Sequence, residues 1–322
     1  MRPIRTPYGP GQHLCQLAKS GCKPERTFLH LERITVMKNN NCWAVPAVLL
    51  AMLSVQGGAS IAKYLFPLLG PAGTSSLRIG LAGILLAAIN RPDIRKFSRK
   101  NWVISIVYGL SIGFMNLLFY YGIQRIPLGL GVTVEFIGPL ALALLTSRRP
   151  ADFLWAFLAG TGIVLIVPWN GGSIDPVGLL FVFAAGILWA LYIVAGRLIT
   201  RDMKSSDAVT AGMCIALLFI LPFGFFSGEL DGLSPHLLLA GLGVAVFSSA
   251  LPFTLDLFSL KRIPPRTFSV LQSLQPAFGA LSGLLFLGER LSMTQWIAIA
   301  CVILASLGAT LISCGKNGEP RR

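Results

Sequence analysis

Apolar runs of about 20 residues recur along most of the chain, separated by short polar or charged connections. A helix rises about 1.5 Å per residue, so a run of that length matches the hydrocarbon core of a bilayer. The pattern predicts spans at 43–66, 70–90, 102–124, 127–146, 151–168, 177–199, 207–226, 236–258, 264–287 and 292–314. Several connections are very short, as from Gln124 to Ile126 and from Ser147 to Pro150, which predicts tightly paired antiparallel hairpins. Residues 1–42 break the pattern. They are polar, mildly basic and rich in Gly, Pro and Cys, without the apolar core of a secretory signal. They are expected to form a disordered tail, with Met37 as an alternative start, and 315–322 a short C-terminal tail.

One pattern of polar and proline positions occurs twice. Arg125, Ile126 and Pro127 are followed by Glu135 and Pro139, and Arg262, Ile263 and Pro264 by Gln272 and Pro276 at the same spacings. The copies are 137 positions apart. That interval holds five spans, and an odd number inverts the second copy in the membrane. The expected fold is an all-α membrane protein of ten transmembrane helices in two inverted five-helix repeats, 43–168 and 177–314.

Composition agrees: 54% of the 322 residues are apolar and 12% charged, and the mean hydropathy is +0.71. A net charge of +14 would point to nucleic acid in a soluble protein. Here the cations collect in alternate loops, without interleaved aromatics. Arg91, Arg95, Lys96, Arg99 and Lys100, then Arg148 and Arg149, then Arg201 and Lys204, then Lys261, Arg262 and Arg266 form one set. The other set holds little beyond Arg125 and Arg290. The positive-inside rule makes the first set cytoplasmic, with both termini on that side.

Six cysteines (Cys15, Cys22, Cys42, Cys214, Cys301, Cys314) show no metal or redox spacing and are expected to be free thiols. His13, His30 and His236 are scattered, leaving no base for a nucleophilic triad. Neither an enzyme nor a cofactor is expected.

Ionisable side chains inside a span are costly and mark function by default. Arg78 and Glu135 each lie about 12 Å below the outer end of their spans. Lys63 is shallower and either snorkels to the headgroups or joins them in one cavity. A guanidinium and a carboxylate facing one cavity suit a zwitterion such as an α-amino acid. A purely structural Arg78–Glu135 pair is the alternative. Glu135 is also the leading proton carrier, with burial and Arg78 pulling its proton affinity opposite ways. Asp256, just before Lys261 and Arg262, reads either as a solvated ion pair at a helix end or as a second proton-relay carboxylate. Gln56, beside Gly57 and Gly58, marks either close packing or a locally opened helix. Asn116, Tyr120, Tyr121, Gln272 and Gln275 add uncharged polar groups, for the solute or as interhelical glue. Pro139 and Pro276 interrupt helical hydrogen bonding at matching points and read as simple kinks or as symmetric hinges.

Four stretches carry a family resemblance: SVQGGASIAKYLFPLLGPAG at 54–73, SIGFMNLLFYYGIQRIPLGLGVTVEFIGPLALAL at 111–144, SRRPADF at 147–153 and SSALPFTLDLFSLKRIPPRTFSVL at 248–271. The chain resembles the EamA branch of the drug/metabolite transporter superfamily over residues 43–314, and within it the threonine/homoserine exporters of the Rht type. The resemblance implies a bacterial inner-membrane carrier that exports small amino acids against protons, through a central cavity and without a cofactor. Relatives often carry a carboxylate just before the proline of the ninth span. Here that position is Gln275, which puts any coupling role there in doubt and shifts it to Glu135. Export of another metabolite or a drug-like cation, a passive channel and a membrane scaffold are the competing accounts; the partners expected are a small amino acid, protons and the bilayer, in a monomer or homodimer.

Overall fold

The computed structural model describes residues 43–93, 95, 97–145, 151–166, 174–263, 268 and 271–312. The chain divides into Met1–Ala44 and Val45–Arg322, and of the first unit only Trp43 and Ala44 are described. Both expected tails, with Cys15, Cys22, Cys42, Cys314, His13 and His30, lie outside the described residues, as do Lys96, Arg148, Arg149, Pro264 and Arg266.

The described residues form helices α1 (Ala44–Asn90), α2 (Arg99–Ile123), α3 (Leu128–Glu135), α4 (Ile137–Leu145), α5 (Ala151–Ile166), α6 (Pro176–Asp202), α7 (Ser205–Phe226), α8 (Pro235–Ala245), α9 (Leu251–Leu260), α10 (Gln275–Leu287) and α11 (Met293–Ile312). No strand occurs among them. Among the described residues five stretches are long and apolar enough to cross a membrane: α1, α2, α6, α7 and Pro235–Leu260. The expected spans 127–146, 264–287 and 292–314 hold shorter apolar helices, and 151–168 holds the 16-residue α5. Large apolar side chains such as Leu68, Leu218 and Phe226 are exposed, while Arg78 is among the most buried side chains. That distribution suits a lipid solvent, where apolar surface faces outward at no cost and polar groups turn inward.

The breaks in these helices have local causes. The first two expected spans are one continuous run divided at Gly70, whose φ of 58° and ψ of 174° are not helical. A Cβ there would lie 2.1 Å from the Glu229 carboxyl carbon, and Glu229 Oε2 accepts from Gly73 N at 2.6 Å. The kink is therefore stapled from the α7–α8 connection. Gln56 to Gly58, where an opened helix was one expectation, are helical without interruption. A Cβ at Gly58 would lie 2.7 Å from Ser248 Cβ, so this glycine serves close packing.

Between α8 and α9 the chain makes a π-helical turn, Val246–Ala250. Pro252 follows it and has no N–H to give. The Phe247 and Ser248 carbonyls accept instead from Ser54 Oγ and from the Arg78 Nη2 group. Between α3 and α4 the helix breaks at Phe136, three residues before Pro139. Residues 273–274 form a corresponding turn just before Pro276. The two prolines thus sit next to breaks at matching positions, and α3 packs directly on α10. A Cβ at Gly129 would lie 2.7 Å from the Ala280 backbone.

Candidate functional site

Gln56 on α1, Arg78 also on α1, Asn116 on α2, Glu135 at the end of α3, Asp256 on α9 and Gln275 at the start of α10 all line one cavity of about 70 Å³. Met115, Phe119, Trp189, Tyr192 and Phe253 supply its apolar walls. On a scale where a water needs about 10–15 Å³, that is room for several waters or one small polar solute.

Arg78 is 2% exposed and held on three sides. Its Nε donates to Ser249 Oγ at 2.6 Å, its Nη1 to Tyr120 Oη at 2.8 Å, and its Nη2 to the Ser248 carbonyl. The guanidinium also lies over the Tyr120 ring, 5.3 Å from its centroid. A guanidinium has five N–H donors, so two remain on its terminal nitrogens. Tyr120, expected in the site, acts from behind it by fixing Arg78. Glu135 is 8% exposed, and no described residue gives its carboxyl a hydrogen bond or ion pair. It is placed by close backbone contact: a Cβ at Gly186 would lie 2.4 Å from the Glu135 carbonyl oxygen, and one at Gly138 would lie 1.8 Å from the Gly186 oxygen. Asn116 spends its Nδ2 on the Ile112 carbonyl at 2.7 Å and keeps its amide oxygen.

Lys63 departs from expectation. It is not in the cavity wall, and neither snorkelling nor convergence with Arg78 and Glu135 describes it. Its Nζ lies 2.6 Å from Glu289 Oε1 and 3.1 Å from the Ile126 carbonyl. Glu289 Oε2 in turn accepts from Leu128 N at 2.8 Å, so α1, the start of α3 and the end of α10 are tied together. A cation this close to a carboxylate satisfies its charge there, which removes it from the solute pocket.

Asp256 differs in the opposite sense. Arg262 sits over the Phe258 ring, 3.5 Å from its centroid, and donates to the Phe258 carbonyl. The helix-end ion pair therefore does not form among the described residues. Asp256 meets Gln272 instead, and its Oδ1 has no hydrogen-bond partner. Gln272 stands behind the wall, between Asp256 and Gln275. Tyr121 stacks obliquely on Phe181 at 5.6 Å, away from the cavity. Pro139 and Pro276 flank the site without lining it. Cys214 and Cys301 are free thiols, and among the described residues no cluster of His, Cys, Asp or Glu has metal-binding geometry.

The EamA-like transporter family matches residues 176–311. The threonine/homoserine exporter RhtA of Escherichia coli strain K12 is 41% identical over 266 residues, covering 82% of this chain and 90% of the relative. The chain belongs to the EamA-like transporter family. RhtA of Salmonella typhimurium strain LT2 aligns equally well, at 41% identity over the same shares. The uncharacterized transporter YyaM of Bacillus subtilis strain 168 is 27% identical over 82% of this chain and 92% of its own length. A solved structure titled only "Crystal structure of protein" superposes with a TM-score of 0.59 at 19% identity, covering 85% of this chain and 99% of that one, and shares the fold. As an EamA-family member the protein is a membrane transporter, not an enzyme.

Several residues that line or support this EamA cavity were not singled out in the sequence. Ser248 and Ser249 had a usable signal in Pro252, whose missing N–H frees upstream carbonyls for a strong donor. Trp189 and Tyr192 had none, because an aromatic residue on an apolar span looks the same facing lipid or cavity. Glu229 and Glu289 lie in connections and are recognised as ties only once their distant partners are seen.

Proposed function

We propose that this EamA-family protein is an inner-membrane secondary carrier that exports small amino acids resembling threonine and homoserine, coupled to protons. Its ten spans form two inverted five-helix repeats, with both termini in the cytoplasm. The reading is carried by one observation: Arg78 and Glu135, a buried cation and a buried anion, face the same cavity. The two donors left on Arg78 suit a solute carboxylate, and the unpaired Glu135 carboxyl suits its ammonium. The name of the 41% identical relative agrees with that charge pattern.

Gln56, Asn116 and Gln275 complete the solute's contacts, with Tyr120 and Gln272 acting through Arg78 and Gln275. Glu135 and Asp256 are the proton-carrying groups, and Pro139 and Pro276 the hinges about which the halves rock. Alternating access needs such paired breaks next to the site. Lys63 has no part in solute binding and instead helps close one end of the bundle.

A second reading has its own support. Arg78 already has three partners while the Glu135 carboxyl has none among the described residues, which favours a cationic metabolite held by the acidic anchor alone. Growth on inhibitory homoserine or threonine separates the two. Cells making the protein should tolerate more amino acid than cells making Glu135→Gln or Arg78→Ala. If tolerance is unchanged with the protein confirmed in the membrane, the amino-acid reading is wrong. If Arg78→Ala exports normally and Glu135→Gln does not, the solute is a cation.

A further inference from the structure

The side-chain amides beside the cavity form a chain with a single polarity. Gln56 Nε2 donates to Gln275 Oε1 at 2.7 Å, Gln275 Nε2 to Gln272 Oε1 at 3.0 Å, and Gln272 Nε2 to Asp256 Oδ2 at 3.5 Å. The chain leaves α1, crosses the start of α10 and ends on α9. Its two ends, Gln56 and Asp256, both line the cavity.

The shared direction has a cause. An ionised carboxylate only accepts, so it draws the NH₂ of its neighbour. Gln272 must then turn its carbonyl to Gln275, and Gln275 its carbonyl to Gln56. Gln56 is left with its amide oxygen unspent. A protonated Asp256 carries an O–H donor, whose best partner is an amide oxygen. Gln272 then turns over, Gln275 and Gln56 follow, and Gln56 is left with an unspent NH₂.

We propose that Gln272, Gln275 and Gln56 are a relay that reports the protonation of Asp256 to the solute. The proposal rests on the reading of Asp256 as a proton site and states how that proton acts on the solute through Gln56. A proton from solvent binds Asp256 and no covalent bond within the amides changes. An ammonium-bearing solute pairs with the Gln56 oxygen only while Asp256 is ionised, so proton and solute exclude each other, as exchange requires. Coupling between two sites is typically about 5- to 150-fold in affinity.

Other groups around Asp256 are accounted for. Tyr108 on α2 and Tyr192 on α6 interact with it electrostatically, and phenols ordinarily titrate near 10. On α7, Asp207 accepts from Ser206 Oγ at 3.3 Å and Cys214 donates to the Gly83 carbonyl at 3.8 Å. On the same segment as Asp256, Lys261 is exposed and Arg262 rests on Phe258. Arg78 and Glu135 share the cavity, and the variants below separate Glu135 from Asp256.

The test is the infrared difference spectrum of the full protein in lipid, acid minus neutral, with no solute present. In a Glu135→Gln background, where Glu135 gives no carboxyl band, the protein should show a protonated-carboxyl C=O band together with a change in the glutamine amide band, and adding Asp256→Asn should lose both. Gln275→Leu, and independently Gln56→Leu at the end of the chain, should keep the carboxyl band and lose most of the amide change. In homoserine binding, the wild-type pH effect should shrink at least about fivefold in either glutamine variant, the part carried by Glu135 remaining. An amide change that survives intact in both glutamine variants overturns the relay and leaves Asp256 as a proton site. A carboxyl band that survives Asp256→Asn overturns the relay and the assignment of the proton together. Since the spectrum needs no solute, a wrong amino-acid assignment does not decide it.

Discussion

Each of the two charges in the cavity depends on a different kind of support. Arg78 is pinned by Tyr120, Ser249 and the Ser248 carbonyl, so Arg78→Ala removes the proposed solute anchor and strips partners from the π-helical turn. A buried carbonyl left without a donor costs about 1–3 kcal/mol. Arg78→Ala should therefore lower the Tm as well as transport, whereas Glu135→Gln, with no partner to lose among the described residues, should abolish transport at near-wild-type Tm. Scanning calorimetry on the two variants checks the contrast. Glu135 is positioned by the contact at Gly138 and Gly186, where an added methyl meets backbone. Gly186→Ala should push the carboxylate out of register and cut transport at least about tenfold, in line with the cost of small misplacements near a site. Solute flux at matched membrane abundance measures it. The charges were legible in the sequence because an ionisable residue within an apolar run stands out. The Lys63–Glu289 pair was not legible because depth alone does not reveal a partner, and Glu289 is 226 residues away.

At the scale of elements, the helix breaks follow glycine and proline. Gly70→Ala combines a left-handed φ with a clash against Glu229. It should destabilise the protein by at least about 1–2 kcal/mol, seen as reduced membrane abundance and a lower Tm. The start of α6 is set by Asp175, which accepts from Val177 N at 2.8 Å as a cap and from Arg125 Nη1 at 2.8 Å. The Arg125 hydrogen bond holds this half-buried carboxyl below the usual carboxylate range. A depressed folded value means that the contribution is complete above the unfolded value of about 3.9 and is lost as pH falls through the folded one. Asp175→Asn keeps a good cap but not the charge. It should lower the neutral Tm slightly, by the lost contribution of the charge, and flatten its fall in acid so that the two proteins converge there, which a pH series of melts would show. Apolar helical stretches were readable because hydropathy period and length are strong signals. The shortness of α3, α4 and α10 was not, since a proline announces a lost hydrogen bond without saying which side of it unwinds.

For the whole molecule, the repeated Arg-Ile-Pro pattern pointed to a duplicated chain, and the matching breaks near Pro139 and Pro276 add a structural counterpart. The cavity itself was only partly foreseen: Gln56, Arg78, Asn116, Glu135, Asp256 and Gln275 line it, whereas its aromatic wall depends on which face of each helix turns inward, and membrane helices that are apolar all round do not reveal that. The central claim is that one solute bridges Arg78 and Glu135. It is tested most directly by counterflow of labelled homoserine into proteoliposomes loaded with unlabelled homoserine, comparing wild type, Arg78→Ala, Glu135→Gln and Lys63→Ala. The account predicts exchange in the wild type, exchange retained in Lys63→Ala, and exchange lost in both cavity variants. Exchange that persists at the wild-type rate in Arg78→Ala and Glu135→Gln, with the proteins folded and inserted, would contradict it.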